Sequence, residues 1–243
     1  MQVSKFEREY FISSYECDSK GELRIVTLMN IFQDVADSHA ENLGVGIEYC
    51  LKHGLAWFGS NYYIKVTRMP KWHEKIKIVT WPSQEKKIGA VRDFRVLDSN
   101  GETIIVASSQ WVLINFEKKR PVALRENLPM YSVVEERAVD TDFPKIEFPQ
   151  CIDYKTNFAV RYDDIDVNGH VNNAVYPLWA TEAVDKNFRK EHKPAEIEIA
   201  FKKECLYGET VEVATQLNDK LTLHEISDSE DKHEIARIRI LWR

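Results

Sequence analysis

Apolar and polar positions along this 243-residue chain follow two rhythms, and the whole programme runs twice. Residues 5–16 (KFEREYFISSYE) supply Tyr10, Phe11, Ile12 and Tyr15, β-preferring residues that predict a strand. The spacing then changes. Leu28, Ile31, Phe32, Val35, His39 and Leu43 recur every three to four residues, the apolar stripe of a helix, with Thr27 placed to cap it and Gly44 to close it. His39 lies within that stripe and reads as a core histidine. From Ala56 to Asn115 the text is strongly β: Lys75–Thr80 and Val91–Leu97 carry strand composition, and Ser99-Asn100-Gly101 is a hairpin turn. A helix followed by a meander of long strands predicts an α+β unit, the helix laid on an antiparallel sheet.

Residues 116–150 interrupt this pattern with Pro121, Pro129, Pro144 and Pro149 among charges, a connecting segment. The programme then restarts. Residues 64–80 lie without a gap over residues 199–215, an offset of 199 − 64 = 135. Ile64/Ile199, Val66/Phe201, Glu74/Glu209, Ile76/Val211, Ile78/Val213 and Thr80/Thr215 agree in kind. Upstream, Asp18 and Gly21 lie over Asp166 and Gly169, an offset of 166 − 18 = 148, so the first half carries 148 − 135 = 13 more residues around its helix. The expected organisation is a first unit over 1–118, a linker over 119–150 and a second unit over 151–243. A single half would leave a sheet edge open, which predicts that the halves pair as a pseudo-dimer.

One stretch breaks the symmetry. Between Arg161 and Glu182, the polar residues Asp164, Asp166, Asn168 and His170 alternate with Ile165, Val167 and Gly169, so an extended backbone would set the polar group on one face. Val175, Leu178, Trp179 and Ala183 then mark a helical stripe, with Asn172 or Asn173 as its N-cap and Pro177 tolerated in its first turn. Turn formation and capping alone account for such a run. The first half has Lys20, Glu22 and Met69 where the second has Asn168, His170 and Glu204, so the polar cluster occurs once.

A 44% hydrophobic, 30% charged composition describes a soluble globular chain, and its net charge of −6 argues against a broad nucleic-acid surface. No apolar run reaches a membrane span of about 18 residues. Cys17, Cys50, Cys151 and Cys205 lack metal-ligand spacing, so neither a metal site nor a disulfide framework is expected. The N-terminus shows no signal or transit composition, which predicts a cytoplasmic location with reduced thiols.

The string DIDVNGHVNNAVYPLW resembles the hot-dog thioesterase signature Asp-x-Asp-x-x-Gly-His-Val-Asn-Asn-x-x-Tyr, and its Asp166-x-Asn168-x-His170 core resembles the acyl-[acyl carrier protein] thioesterases. TRMPKW, VRDF and ASSQWVLIN in the first half, and KKEC (Lys202–Cys205) in the second, are similar to stretches of the same family. The resemblance implies a tandem double hot dog in which each half wraps a long helix with an antiparallel sheet. It further implies hydrolysis of fatty acyl-[acyl carrier protein] thioesters, without a cofactor, by a cytoplasmic monomer or homodimer. Lack of a plastid-targeting extension points to a bacterial-type member. Gly169 stands where many plant members have a larger polar residue.

Thioester hydrolysis then assigns Asp166 as central carboxylate, Asn168 as orienting group and His170 as proton-handling partner. The N–H groups after Gly169 form the oxyanion hole, and Glu204 is the second carboxylate. Asp164 is expected to brace the turn. Glu182, placed on the apolar face of the second helix, is a further carboxylate to consider. Cys205 permits a rival Cys–His–Asn scheme, although strand alternation puts it on the apolar side. Met29, Phe32, Val35, Ala36 and Trp57 of the first half are the expected acyl-chain lining. Basic patches for the acidic carrier protein are Lys86, Lys87 and Arg92, the run Lys118 to Arg120, and Lys202 with Lys203. Alternatives are an acyl-CoA thioesterase of the same class and a non-catalytic acyl-thioester-binding module.

Overall fold

The structure, a computed structural model, describes residues 4–243. The chain divides into two compact units, Met1–Asp142 and Phe143–Arg243. The first opens with β1 (Phe6–Phe11), a short 3-10 turn at Ser14–Glu16, helix α1 (Ile25–Asn42) and helix α2 (Ile47–Lys52). Strands β2 (Leu55–Val66), β3 (Lys75–Glu85), β4 (Gly89–Leu97) and β5 (Thr103–Asn115) follow, then β6 (Arg120–Pro121) and the one-turn helix α3 (Leu124–Asn127). The five longer strands pair antiparallel in the order β1-β3-β4-β5-β2.

The expected stripe of α1 is the buried one: Leu28, Ile31, Phe32, Val35 and His39 all turn inward. Phe32 stacks on Phe94 of β4 at 4.6 Å between centroids. The expected strand over 5–16 ends early, because the Glu16 carboxylate accepts from the Ser13 N–H at 2.8 Å and curls the chain into a turn. Thr27 does not cap α1. Arg24 occupies that position, and the Thr27 hydroxyl faces the Glu16 carbonyl instead. Gly44 does end the helix, at φ +74°, a left-handed conformation that glycine adopts without strain.

The second unit repeats this element by element: β7 (Tyr154–Ala159), a 3-10 turn at Tyr162–Asp164, α4 (Val175–Glu182), α5 (Lys186–Glu191), β8 (Pro194–Phe201), β9 (Thr210–Asn218), β10 (Leu221–Asp228) and β11 (Glu234–Trp242). Its strands run antiparallel in the order β7-β9-β10-β11-β8, the order of the first unit. The sequence offsets hold to the residue. β1 and β7 begin 154 − 6 = 148 apart, as do the two 3-10 turns, while β3 and β9 begin 210 − 75 = 135 apart. Most of the surplus lies in the helix, 18 residues in α1 against 8 in α4, and β2 is also longer than β8, 12 residues against 8. After α4 the chain turns at Ala183–Val184, and the Asp185 carboxylate caps a new helix by accepting from the Asn187 and Phe188 N–H groups. Those bonds hold the Asp185 carboxyl below its ordinary range.

The connecting segment is anchored rather than free. Asp93 of β4, fully buried, accepts from Ser108 Oγ (2.6 Å), Arg137 Nε (3.0 Å) and the Ala138 N–H (2.7 Å). The Trp81 indole donates to the Glu136 carbonyl at 2.7 Å. Past the unit boundary, Arg237 of β11 donates to the Ile146 carbonyl and lies 3.6 Å over the Phe148 ring. Among the described residues no helix is long and apolar enough to cross a membrane.

Candidate active site

The polar stretch after β7 is a closed turn, not the extended segment that alternation predicts. Ile165 and Val171 form an antiparallel bridge, the Asp166 N–H donates to the His170 carbonyl at 2.8 Å, and the Gly169 N–H donates to the Asp166 carbonyl at 3.0 Å. Gly169 sits at φ +84°, which closes the loop without strain. The physical reason is the Asp166 side chain, which competes with strand pairing for local backbone donors. Its Oδ1 accepts from the Asn168 N–H (2.8 Å) and the His170 N–H (3.4 Å), and its Oδ2 from Asn168 Nδ2 (3.2 Å). Asp166, Asn168 and His170 therefore converge through a turn.

Glu204 joins them from the segment after β8. Its Oε2 lies 3.1 Å from His170 Nε2, and both side chains are open to solvent, 54% and 34% exposed. The segment is held there by the Val171 N–H, which donates to the Cys205 carbonyl at 2.9 Å. Asp164 braces the turn, as expected: it is buried and accepts from the Arg161 N–H (2.9 Å) and guanidinium (2.6 Å).

The remaining candidates separate from this cluster. Glu182 points to solvent at the last residue of α4, not onto an apolar face. The stripe it was assigned to is carried by Val175, Trp179 and Ala183, and position 182 falls outside it. Cys205 is fully buried, and burial, followed by the neighbouring Glu209, pushes its thiol up to about 12. A thiol in that state is not a nucleophile near neutral pH. Tyr176 received no role from the sequence although it closes the motif. It is buried in α4, and its phenol is raised by burial first, then by Cys205, Glu204 and Asp166, so it faces the same group of acids.

Most N–H groups after Gly169 are committed. Those of His170, Val171, Asn172, Ala174 and Val175 all have acceptors. The expected cap of α4 at Asn172 or Asn173 is not realised, since Ala174 occupies the N-cap without a side-chain bond and the Asn172 Oδ1 accepts from the Ala174 N–H one position earlier, at 2.9 Å. The Asn173 N–H has no acceptor among the described residues, which narrows the oxyanion-hole candidate to one group.

The first unit contains the same loop without the chemistry. The Asp18 N–H donates to the Glu22 carbonyl at 2.8 Å, its carboxylate accepts from the Lys20 and Glu22 N–H groups (2.8 and 3.0 Å), and Gly21 sits at φ +72°. The first unit instead has a partly open pocket against α1. Of the expected acyl lining, Ala36 and Trp57 face it, whereas Met29, Phe32 and Val35 are buried elsewhere in the core. Ala40, Leu43 and Trp111 complete the apolar wall, and none was singled out from the sequence. Arg92, taken as part of a basic docking patch, is buried and lines this cavity, so it cannot belong to a docking surface. Lys86, Lys87, Lys118, Lys119, Arg120, Lys202 and Lys203 are exposed.

Comparison with known proteins agrees in both sequence and fold. Residues 3–130 match the family model of the acyl-ACP thioesterase N-terminal domain, and residues 151–243 that of the C-terminal domain. A chloroplastic acyl-[acyl-carrier-protein] hydrolase of Cuphea viscosissima is 28% identical over 257 residues, covering 98% of this chain. The chain spans 62% of that relative's length. The 12:0-ACP thioesterase from Umbellularia californica superposes with a TM-score of 0.88 at 26% identity, over 100% of this chain and 98% of that one. The fold is also that of an acyl-ACP thioesterase from Bacteroides thetaiotaomicron, at TM-score 0.89 and 22% identity over 99% and 98% of the two chains. With both family domains matched in order, the chain belongs to the acyl-ACP thioesterase family.

Proposed function

We propose that this protein hydrolyses the thioester between a fatty acyl chain and the phosphopantetheine arm of acyl carrier protein, releasing free fatty acid. The observation that carries the reading is the 3.1 Å contact between His170 and Glu204, beside the Asp166–Asn168 pair, in one of two otherwise equivalent loops. A thioester needs a nucleophile at its carbonyl carbon and a donor for the oxyanion. Its thiol leaving group, with a pKa of about 8.5, departs with little acid assistance. Glu204 and His170 take the proton of an attacking water, the His170–Glu204 hydrogen bond holding the imidazole in register. Asn168, tied to Asp166, orients the water or the carbonyl, and the Asn173 N–H is the donor offered to the oxyanion. The acyl chain is assigned to the cavity of the first unit, whose apolar walls contribute about 0.8 kcal/mol per buried methylene.

The test is release of free fatty acid from a ladder of acyl-carrier-protein substrates, with the same chains on coenzyme A in parallel. Turnover on the carrier protein exceeding that on coenzyme A is the expected result. The reverse order would make the protein an acyl-CoA thioesterase, and binding without hydrolysis on either carrier would make it a sensor.

A further inference from the structure

The first unit's cavity is apolar along its walls but not throughout. Three polar side chains also line it: Asp37 of α1, Arg92 of β4 and Tyr131. Arg92 spends only one nitrogen on the protein, its Nη1 lying 3.1 Å from His39 Nδ1 and 3.3 Å from Thr80 Oγ1. Its Nε and Nη2 have no acceptor among the described residues. Asp37 accepts from Gln33 Nε2 through Oδ1 at 2.9 Å, and its other oxygen has no donor among the described residues. The Tyr131 hydroxyl is buried with no hydrogen-bond partner among the described residues, while its ring packs on the cluster of Leu43, Val45, Leu124 and Leu128. Burial pushes the Tyr131 phenol up to about 12 and the Asp37 carboxyl above its ordinary range, and brings Arg92 down to about 10. Desolvation is the first cause of all three shifts.

Buried donors and acceptors without partners are costly, and protein interiors rarely keep them. A tunnel meant only for a saturated hydrocarbon tail would have no use for an unpartnered buried phenol beside two ionisable side chains. Arg92 and Asp37 together carry no net charge, so a carboxylate gains nothing there. A hydroxyl both donates and accepts, which is what a spare guanidinium N–H, a spare carboxylate oxygen and an unpartnered phenol can satisfy together. We propose that this cavity selects acyl chains bearing a hydroxyl on the part of the chain seated beside Asp37, Arg92 and Tyr131. The inference rests on the reading that the first unit holds the acyl chain, and it names a substrate class for it.

An unadorned apolar cavity disfavours an added hydroxyl by about tenfold or more. Calorimetric titration of the whole protein with decanoic acid and with its monohydroxy isomers separates the cases. The expected result is that at least one isomer, hydroxylated in the distal half, binds as tightly as the plain acid or more tightly. That preference, taken as the ratio of hydroxy-acid to plain-acid affinity, should fall at least fivefold in Tyr131→Phe and in Asp37→Asn. Tyr131→Phe removes an oxygen that makes no bond, so the variant should fold. Plain acid winning tenfold over every isomer, a preference that survives both substitutions, or no binding of any acid would each overturn the proposal. Because the readout is binding, its failure leaves thioesterase activity on plain acyl carriers intact, and loss of that activity leaves this measurement intact.

Discussion

Asp166 serves the fold through one carboxylate oxygen and, on the proposed mechanism, the chemistry through the other. Its Oδ1 does what Asp18 does in the first unit, closing a loop by accepting two backbone N–H groups. Only the Oδ2 bond to the Asn168 side chain is peculiar to the second unit. Asp166→Asn should therefore keep the loop, since an amide oxygen still accepts, but set one amide against another at Asn168. Turnover is expected to fall by about 10² to 10⁴, whereas Asp18→Asn, the same change in the silent loop, should leave it within a factor of two or so. Equal losses in both variants, measured on folded protein, would reduce Asp166 to a turn former. Cys205→Ala should retain most activity, because a buried thiol held near 12 supplies no thiolate at neutral pH. An acyl-Cys205 adduct seen by mass spectrometry would reverse that ranking.

His224 belongs to the element scale, because it ties β9 and β10 together. Buried completely, it contacts Thr215 Oγ1 at 2.9 Å and Thr222 Oγ1 at 2.8 Å, and burial brings its imidazole down to about 3. The unfolded chain takes up a proton at this position near pH ~6.5 and the folded chain does not. Stability attributable to His224 is complete above that value and lost as pH falls toward about 3. The slope is about 1.4 kcal/mol per pH unit for one proton. Between pH 6 and 4.5, roughly, the wild type should lose denaturant resistance faster than His224→Leu, after each is normalised to its value at neutral pH. The Asp93 cluster is the second such tie: Asp93→Ala leaves the half-buried Arg137 unpaired and should cost about 3–5 kcal/mol in chemical denaturation.

These elements also show what a sequence can carry. The apolar stripe of α1 and both offsets were legible because periodicity and repetition are written locally, whereas the strand order was not: a meander would pair β2 with β3, and β2 pairs with β5 instead. Asp164 was legible as a brace because its partner is three residues away. Arg92 and Asp93 were not legible. Adjacent charges on a strand read as a solvated edge, and their partners lie 53 residues away in α1 and 44 residues away in the connecting segment. The turn at Asp166 was missed because alternation cannot reveal a side chain that captures its own backbone. The break after α4 was missed because Asp185 was not read as a cap.

At the scale of the whole molecule, the proposed function divides two tasks between the repeated units. If the first unit sets which chain is accepted, Ala36→Trp should fill the cavity and lower turnover of long chains relative to short ones, by about tenfold. Asn168→Ala should instead lower turnover on every chain length alike. A product profile unchanged by Ala36→Trp in folded protein would move the acyl chain elsewhere.

The two offsets have a historical consequence. All 13 residues of surplus fall between the loop at Gly21 and the strand at Ile64, while the bridge, the turn and the segment that meets it keep their register in both copies. Length differences between the copies thus fall in the helix and the strand after it, and not in the loop that holds Asp166, Asn168 and His170. On the proposed division of labour, a lineage built this way can remodel its substrate range by length changes in one copy, each a single genetic event, without re-evolving the loop of the other.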